Sequence, residues 1–397
     1  MKITILVHEY GGYPFAYHLS KGLAAKGYSV MHVYNSASGS PGGDFKESEN
    51  LHVLDLGKGR RRVNKNSFIQ RYWQENDYGN LIARKIRELK PALVISGNTP
   101  LEAEKKMVRV CGEEGIYLIH WLQDILSIAA EKILYKRNRL LAKLIGIYFH
   151  NIEKKCLCKA DHVVAICDDF AKILLDWGVN SDRISVIENW ANITEMPVVA
   201  KQNSFSVKYG LTDTFNLVYT GTLGMKQNPD LLLELAEIYR SRINVRFVVV
   251  ATGSGVRYVK EQGEKRRLDN LLVLPLQPFS ELPNVLGCGD MLMSMLDSDA
   301  SIYCVPSKVL TYYCAGRPSL QIMSKDNLAA QITLRNELGF VVEPGDLKSL
   351  IDVIDSAIQN SPILTEYGLR ARAYAEEHFD LDKVAQQFLP IIRNAIS

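Results

Sequence analysis

Two lysines stand where this chain could hold a diphosphate. Lys308 lies in V-P-S-K-V-L-T-Y-Y-C-A-G-R-P, residues 305–318. Proline presets a first helical turn and serine is a common cap. Val309, Leu310, Tyr313 and Cys314 recur at helical spacing, and Gly316 and Pro318 close the segment. The pattern predicts a short helix opening from a loop, capped by Ser307, with Lys308 in its first turn and Val309 and Thr311 beside it. A helix start has unpaired N–H groups and the positive end of a dipole, and an amine there adds a full charge. That combination suits a diphosphate. An ordinary capped helix with a solvated lysine carries the same local pattern, so the rest of the chain must decide. Lys226 ends a second stretch of the same promise, T-G-T-L-G-M-K, with Gly221, Thr222 and Gly224 in one loop. In the first half, His120 and Asp124 in H-W-L-Q-D follow a predicted strand and should look into a cleft, although a lone histidine is more often structural. Asp297-Ser298-Asp299 spells D-x-D, two carboxylates that can chelate a cation. The motif is common by chance, and no metal is expected.

These residues need a scaffold, and strand–helix alternation supplies it twice. Ile3–Val7 reads as a buried strand broken by His8 and Glu9. Gly11 and Gly12 follow in a loop, then a helical pattern to Gly27 and a strand over Tyr28–Tyr34. Strands are also predicted at Ala92–Ser96, ending at Asn98, at Tyr117–His120, at His162–Ile166 and at Ile184–Ile187. A polar stretch over Thr194–Ser206 reads as an interdomain linker. A second series follows: Asn216–Tyr219 running into the Gly221 loop, Phe247–Val250 into Gly253-Ser254-Gly255, Leu272–Leu274 into Gln277-Pro278, and Met291–Leu296 into the acidic loop. In a parallel sheet such loops share one edge, the edge where ligands bind. With two lysines it can hold a nucleotide diphosphate without metal.

At 397 residues the chain fits two domains. A 47% apolar and 23% charged composition is that of a globular protein, and a net charge of +3 gives no case for nucleic acid. Seven cysteines, mostly within apolar runs, read as reduced thiols of a cytosolic protein. No signal peptide or membrane-spanning run is expected. Between Ile133 and Lys155, Leu140, Leu141, Leu144, Ile145, Tyr148, Phe149 and Ile152 share a helical face. Lys132, Lys136, Arg137, Arg139 and Lys143 cluster toward the other side. A basic amphipathic helix of this kind can lie on an anionic membrane, or simply face a core with its charges in solvent.

Together, T-G-T-L-G-M-K, P-S-K-x-x-x-Y-x-x-A-G-R-P, H-W-L-Q-D, A-D-H-V-V-A-I (160–166) and I-E-N-W (187–190) resemble the family-4 retaining glycosyltransferases of bacterial colanic-acid and O-antigen assembly. The resemblance implies a GT-B fold, two Rossmann-like doubly wound α/β domains facing across a cleft. The domains would span 1–195 and 205–375, with the C-terminal helix over 380–397 packing back on the first. It implies a nucleotide-sugar donor, expected to be UDP-linked, on the second domain at Gly221, Thr222, Gly224, Gly253, Gly255, Gln277, Pro278, Ser307, Val309 and Thr311. A lipid-linked, polyprenyl-diphosphate glycan would bind the first domain near Gly11, Gly12 and Asn98. Lys226, Lys308, His120 and Asp124 would serve the reaction. Lys136, Arg137, Arg139 and Lys143 would dock a peripheral enzyme on the inner face of the cytoplasmic membrane, with no cofactor or metal. The family often carries an arginine where Thr222 stands, and two glutamates where Tyr303 and Thr311 stand. Their absence shifts phosphate charge to Lys308 and leaves the ribose and sugar contacts open. Two rival expectations keep the fold: a sugar-nucleotide 2-epimerase, and a non-catalytic donor-binding subunit.

Overall fold

The computed structural model describes residues 4–39, 45–64, 67–128, 130, 139–224, 227–297 and 304–396. The chain divides into two compact units, residues 1–189 with 381–397, and residues 190–380.

The first unit is built on seven parallel strands: β1 (Ile5–Glu9), β2 (Val30–Tyr34), β3 (Leu51–Asp55), β4 (Leu93–Gly97), β5 (Tyr117–Leu122), β6 (His162–Ala165) and β7 (Ile184–Val186). Their order is β3-β2-β1-β4-β5-β6-β7. The crossovers include α1 (Pro14–Ala25), α2 (Phe68–Leu89), α3 (Leu101–Glu114), α4 (Arg139–Lys159) and α5 (Asp168–Asp176). Fully buried Leu6, Val94, Ile82 and Ile86 show why: short aliphatic strands need cover on both faces, and helices at 3.6 periodicity supply it.

The second unit has six parallel strands in the order β10-β9-β8-β11-β12-β13. Along the chain run α6 (Ser204–Tyr209), β8 (Phe215–Thr222), α7 (Asp230–Ile238), β9 (Val245–Thr252), α8 (Ser254–Arg266) and β10 (Leu271–Leu274). Next come α9 (Leu282–Gly287), β11 (Met291–Met295), α10 (Lys308–Cys314), β12 (Ser319–Ile322) and α11 (Leu328–Arg335). The unit closes with β13 (Gly339–Val342), α12 (Leu347–Gln359) and α13 (Ser361–His378). Each sheet's second strand pairs beside its first and its fourth on the other side, so both reverse direction of winding at one point: β1/β4 and β8/β11. Buried side chains such as Leu217, Val249 and Met293 hold the second sheet, each contributing about 1.5–3 kcal/mol.

The chain then returns to the first unit as α14 (Leu381–Ile396), which packs along α1. A Cβ at Gly22 would come within 2.9 Å of Ala385 Cβ, so glycine sets how closely the two helices approach. Phe388 meets the Trp121 ring edge-on at 5.4 Å.

Three expectations change. β1 does not stop at Val7, because His8 and Glu9 are wholly buried strand residues. β3 was not foreseen. The polar stretch at 194–206 is not a free linker. Met196 is buried, and Arg372 donates to its carbonyl at 2.8 Å. Arg317 donates to Val199 O at 3.0 Å, and Asn203 caps α6 with a capping box. The segment is therefore strapped onto the second unit by guanidinium–carbonyl bonds.

Candidate nucleotide-sugar site

In the second unit β8 and β9 end side by side, and their loops are stitched backbone to backbone. Leu223 N donates to Thr252 O at 2.8 Å and Gly255 N to Leu223 O at 3.0 Å. A Cβ at Gly253 would lie 2.5 Å from Leu223 O, and one at Gly255 2.9 Å from it. Gly253 also takes φ 115°, a conformation that favours glycine. Glycine at both positions is thus a packing requirement of the loop pair. Gly221 has φ 97°, Thr222 is exposed just beyond it, and Gly224 N donates to Gln227 Oε1 at 2.8 Å.

Lys308 comes up beneath this loop. Its Cε and Nζ lie 3.7 and 3.8 Å from where a Cβ of Gly221 would be. Nζ stands 3.7 Å from the Tyr219 ring centre. The residue as a whole is half-buried, but its amine is shut from solvent and has no hydrogen-bond partner among the described residues. Burial lowers its pKa to about 7, against a weaker opposing pull from Cys304. Tyr312 fixes the helix that carries it: its hydroxyl donates to Met293 O at 3.0 Å and accepts from Thr220 N at 3.4 Å. An amine held under a glycine loop, with no ion-pair partner among the described residues, could meet an anion.

The helix start itself differs from expectation. Ser307 already has right-handed helical angles, so its side chain makes no cap. Val309 N donates to Pro306 O at 3.1 Å and Leu310 N to Ser307 O at 3.2 Å, which removes two of the N–H groups expected to be free. Val309's side chain is wholly buried in the core, so it has no face for a ligand. Thr311 is half-buried and Ser307 exposed. Gln277 folds back to donate to Pro275 O at 2.8 Å, with Pro278 exposed beside it. Lys226, Ser298, Asp299 and Tyr303 lie outside the described residues.

In the first unit the three residues expected to meet an acceptor share one anchor. Glu9 Oε1 accepts from Gly11 N at 3.0 Å and from Asn98 Nδ2 at 3.0 Å, and Oε2 accepts from Tyr13 N at 2.6 Å. Gly12 and Asn98 both take positive φ, 70° and 50°. Burial pushes the Glu9 pKa up to about 7, with the loop's N–H donors and Asn98 pulling it down. Glu9 was missed because a carboxylate after an apolar run reads as the end of a strand.

His120 sits near the end of β5 with Nδ1 2.9 Å from Glu104 Oε1 of α3. Asp124 is half-buried two residues past the strand. Gln123 Oε1 accepts from Asn189 Nδ2 at 2.7 Å, so H-W-L-Q-D and I-E-N-W meet in space. On α4, Lys143 is exposed. Leu144 and Ile147 are 68% and 51% exposed, whereas Ile152 and Cys156 are buried. The helix therefore packs by its second half and presents apolar residues to solvent in its first. Lys136 and Arg137 lie outside the described residues, and Arg139 opens the helix.

Residues 11–195 match the family described as Glycosyltransferase Family 4. A 245-residue stretch is 24% identical to the colanic acid biosynthesis glycosyl transferase WcaI of Escherichia coli (strain K12), covering 61% of this chain and 59% of that protein's length. Anabaena HepE, solved in complex with UDP, is 17% identical with a TM-score of 0.69, over 98% of this chain and 100% of its own. Its complex with UDP-glucose aligns with a TM-score of 0.70 at 16% identity over 98% and 99%. Sucrose-phosphate synthase of Thermosynechococcus elongatus is 14% identical with a TM-score of 0.77 over 99% of each chain. The family match thus falls almost wholly within the first unit, and the two parallel-sheet units have the GT-B fold of these solved structures.

Proposed function

We propose that this protein is a retaining, metal-independent glycosyltransferase. It moves a hexosyl or N-acetylhexosaminyl group from a UDP-linked donor to a polyprenyl-diphosphate-linked glycan, in assembly of a bacterial surface polysaccharide such as O-antigen or capsule. The observation that carries this reading is the sealed amine of Lys308 beneath Gly221, which has no hydrogen-bond partner among the described residues. Breaking the bond from the anomeric carbon to the donor phosphate leaves a charged nucleoside diphosphate. A preorganised amine stabilises that charge as it grows. The acceptor oxygen attacks the same face, and its proton passes to the leaving phosphate. This route needs no enzymic nucleophile. Lys226 would add a second positive charge, and His120 and Asp124 would orient the reacting hydroxyls. HepE's structures with UDP and UDP-glucose support a uridine donor, and WcaI's description supports polysaccharide assembly. Among the described residues no helix is long and apolar enough to cross a membrane. Leu144 and Ile147, with the basic run before them, would instead rest on the membrane surface that holds the acceptor.

The test is to incubate the purified protein with UDP-sugars and lipid-linked acceptors, following UDP release and the anomeric configuration of the product. Acceptor-dependent release with retained configuration is expected. Epimerised UDP-sugar formed without acceptor would replace transfer by epimerisation. UDP binding with no reaction from any pair would leave a non-catalytic subunit.

A further inference from the structure

A polar row crosses the interior of the first unit. In register, His8 of β1 pairs with Ser96 of β4, and Ser96 with His120 of β5. Residues paired across parallel strands point to one face, and here that face is covered by α3, from which Glu104 descends. Ser96 Oγ donates to Glu104 Oε2, and Ser96 and His8 both bond Thr99 Oγ1 at 2.9 Å. His8 Nε2 meets Tyr78 OH at 2.9 Å. Both ring nitrogens of His8 are thus engaged by hydroxyls, and burial lowers its pKa to about 4, so it stays neutral.

His120 is the opposite case. Its Nδ1 and Glu104 Oε1 are both sealed from solvent, neither has an aligned hydrogen bond, and they face each other at 2.9 Å. A buried carboxylate oxygen and a buried ring nitrogen so placed are reconciled by a proton on Nδ1. The ring keeps 10% exposure at its side chain although Nδ1 has none, so the open edge is the other one. Burial alone works against a charged ring, but Glu104 outweighs it, and Glu153 of α4 adds to the effect, so the His120 pKa is raised. Val163 of β6 beside it brings no charge, and Asp124 follows on the same strand's loop.

We propose that Glu104 is a positioning residue: it holds His120 doubly protonated, so that Nε2 meets the first unit's ligand as a charged donor to oxygen and not as a general base. This deepens the transferase reading and rests on it for the ligand. It also fits a reaction in which the leaving phosphate, not the protein, takes the acceptor's proton.

The test uses the full chain with isotope-labelled histidine, the His120 signal being assigned by its loss in His120→Gln. Nitrogen and carbon shifts followed against pH give its tautomer and midpoint. A midpoint above 6.5 with a proton on Nδ1 is expected. In Glu104→Gln the midpoint falls below 6.5, and Glu104→Asp restores part of the rise. A wild-type His120 that titrates at or below 6.5 overturns the inference, even if the glutamine variant does not fold. In the transfer assay the alkaline limb of kcat/KM should follow the same midpoints in wild type and variants. A limb that ignores them overturns the positioning role while leaving transfer intact. No turnover of any UDP-sugar, with the titration as expected, overturns the transferase reading and the role with it, but not the ion pair.

Discussion

Lys308 Nζ stands 3.7 Å from the centre of the Tyr219 ring, with no hydrogen-bond partner among the described residues. A cation over an aromatic face is attracted by the ring quadrupole, which keeps the amine under Gly221. A buried amine without an anion is costly to the free protein. Lys308→Met keeps the side-chain stem and removes that cost. Its melting temperature should equal or exceed the wild type's, while turnover falls about 100- to 1,000-fold. Thermal melts and steady-state kinetics check this, and wild-type turnover would remove Lys308 from the site.

The same amine links donor binding to protons. With its pKa lowered to about 7 by burial, it is mostly neutral in the free protein above that pH. A bound diphosphate supplies the missing counter-charge and restores the proton. Calorimetry with UDP in buffers of different ionisation enthalpy should find uptake of about one proton well above pH 7 and about none well below it. The stability linkage has a definite sign. Between about 7 and the ordinary 10.5 the unfolded chain binds the proton and the folded one does not, so this group's contribution to stability rises with pH across that window. Proton-independent UDP binding would mean that Lys308 does not meet the phosphates.

The glycines of the loop pair separate by what a methyl group would strike. Gly253→Ala would put Cβ 2.5 Å from a backbone oxygen at φ 115°, and should cost about 1–3 kcal/mol and most UDP affinity. Gly224→Ala meets only the tip of Gln227, at 3.1 Å, and should fold and bind nearly normally. Calorimetric affinities for the two variants check the contrast, and equal losses would contradict it.

The alternation of strands and helices was legible because aliphatic runs such as Leu217–Tyr219 and Val248–Val250 have no other use in a chain of this composition. Their ends were less legible. β1 carries His8 and Glu9 inward because Thr99, Tyr78, Asn98 and the Gly11 loop satisfy them, partners up to 91 residues away. β3 lies at the sheet edge with most of its residues half-buried, so Leu51–Asp55 has no apolar run to show. Of the candidate site, Lys308 was picked out by its place in the P-S-K motif. Glu104 was not, since one glutamate among the helix residues L-E-A-E-K-K-M carries no mark of its burial.

Membrane docking has its own test. Leu144 and Ile147 stand exposed on the first half of α4, and Trp73 is 64% exposed on α2. Replacing Leu144 and Ile147 by serine should weaken sedimentation with anionic vesicles, as should Lys136, Arg137, Arg139 and Lys143 to glutamine. The serine loss should persist at high salt and the glutamine loss should not, because apolar burial is unscreened whereas charge attraction is screened. Unchanged sedimentation in both variants would rule out docking through α4.

Acid should strike the first unit before the second. His8, His18 and His32 are buried there, and burial lowers their pKa values to about 4, 3 and 3 from 6.5. Below 6.5 the unfolded chain takes up protons that these folded rings refuse. Stability therefore falls as pH drops from 6.5 toward 3–4, the direction opposite to that of a salt-bridged histidine. Glu9, whose pKa burial raises to about 7, works the other way and gains a proton in the folded state first. Burial raises Glu75 and Glu153 as well, and Glu104 raises His120, while His162 is lowered with the other three rings; the net slope is expected to be positive because His8, His18 and His32 together move furthest from their ordinary value. The second unit has only His378, which is exposed on α13. Hydrogen exchange at about pH 5 should show amides of β1, β2 and α1 losing protection while those of β8 and β9 keep it. His32→Phe, which replaces a ring packed among Tyr17, Tyr34 and Phe45, should flatten the acid slope.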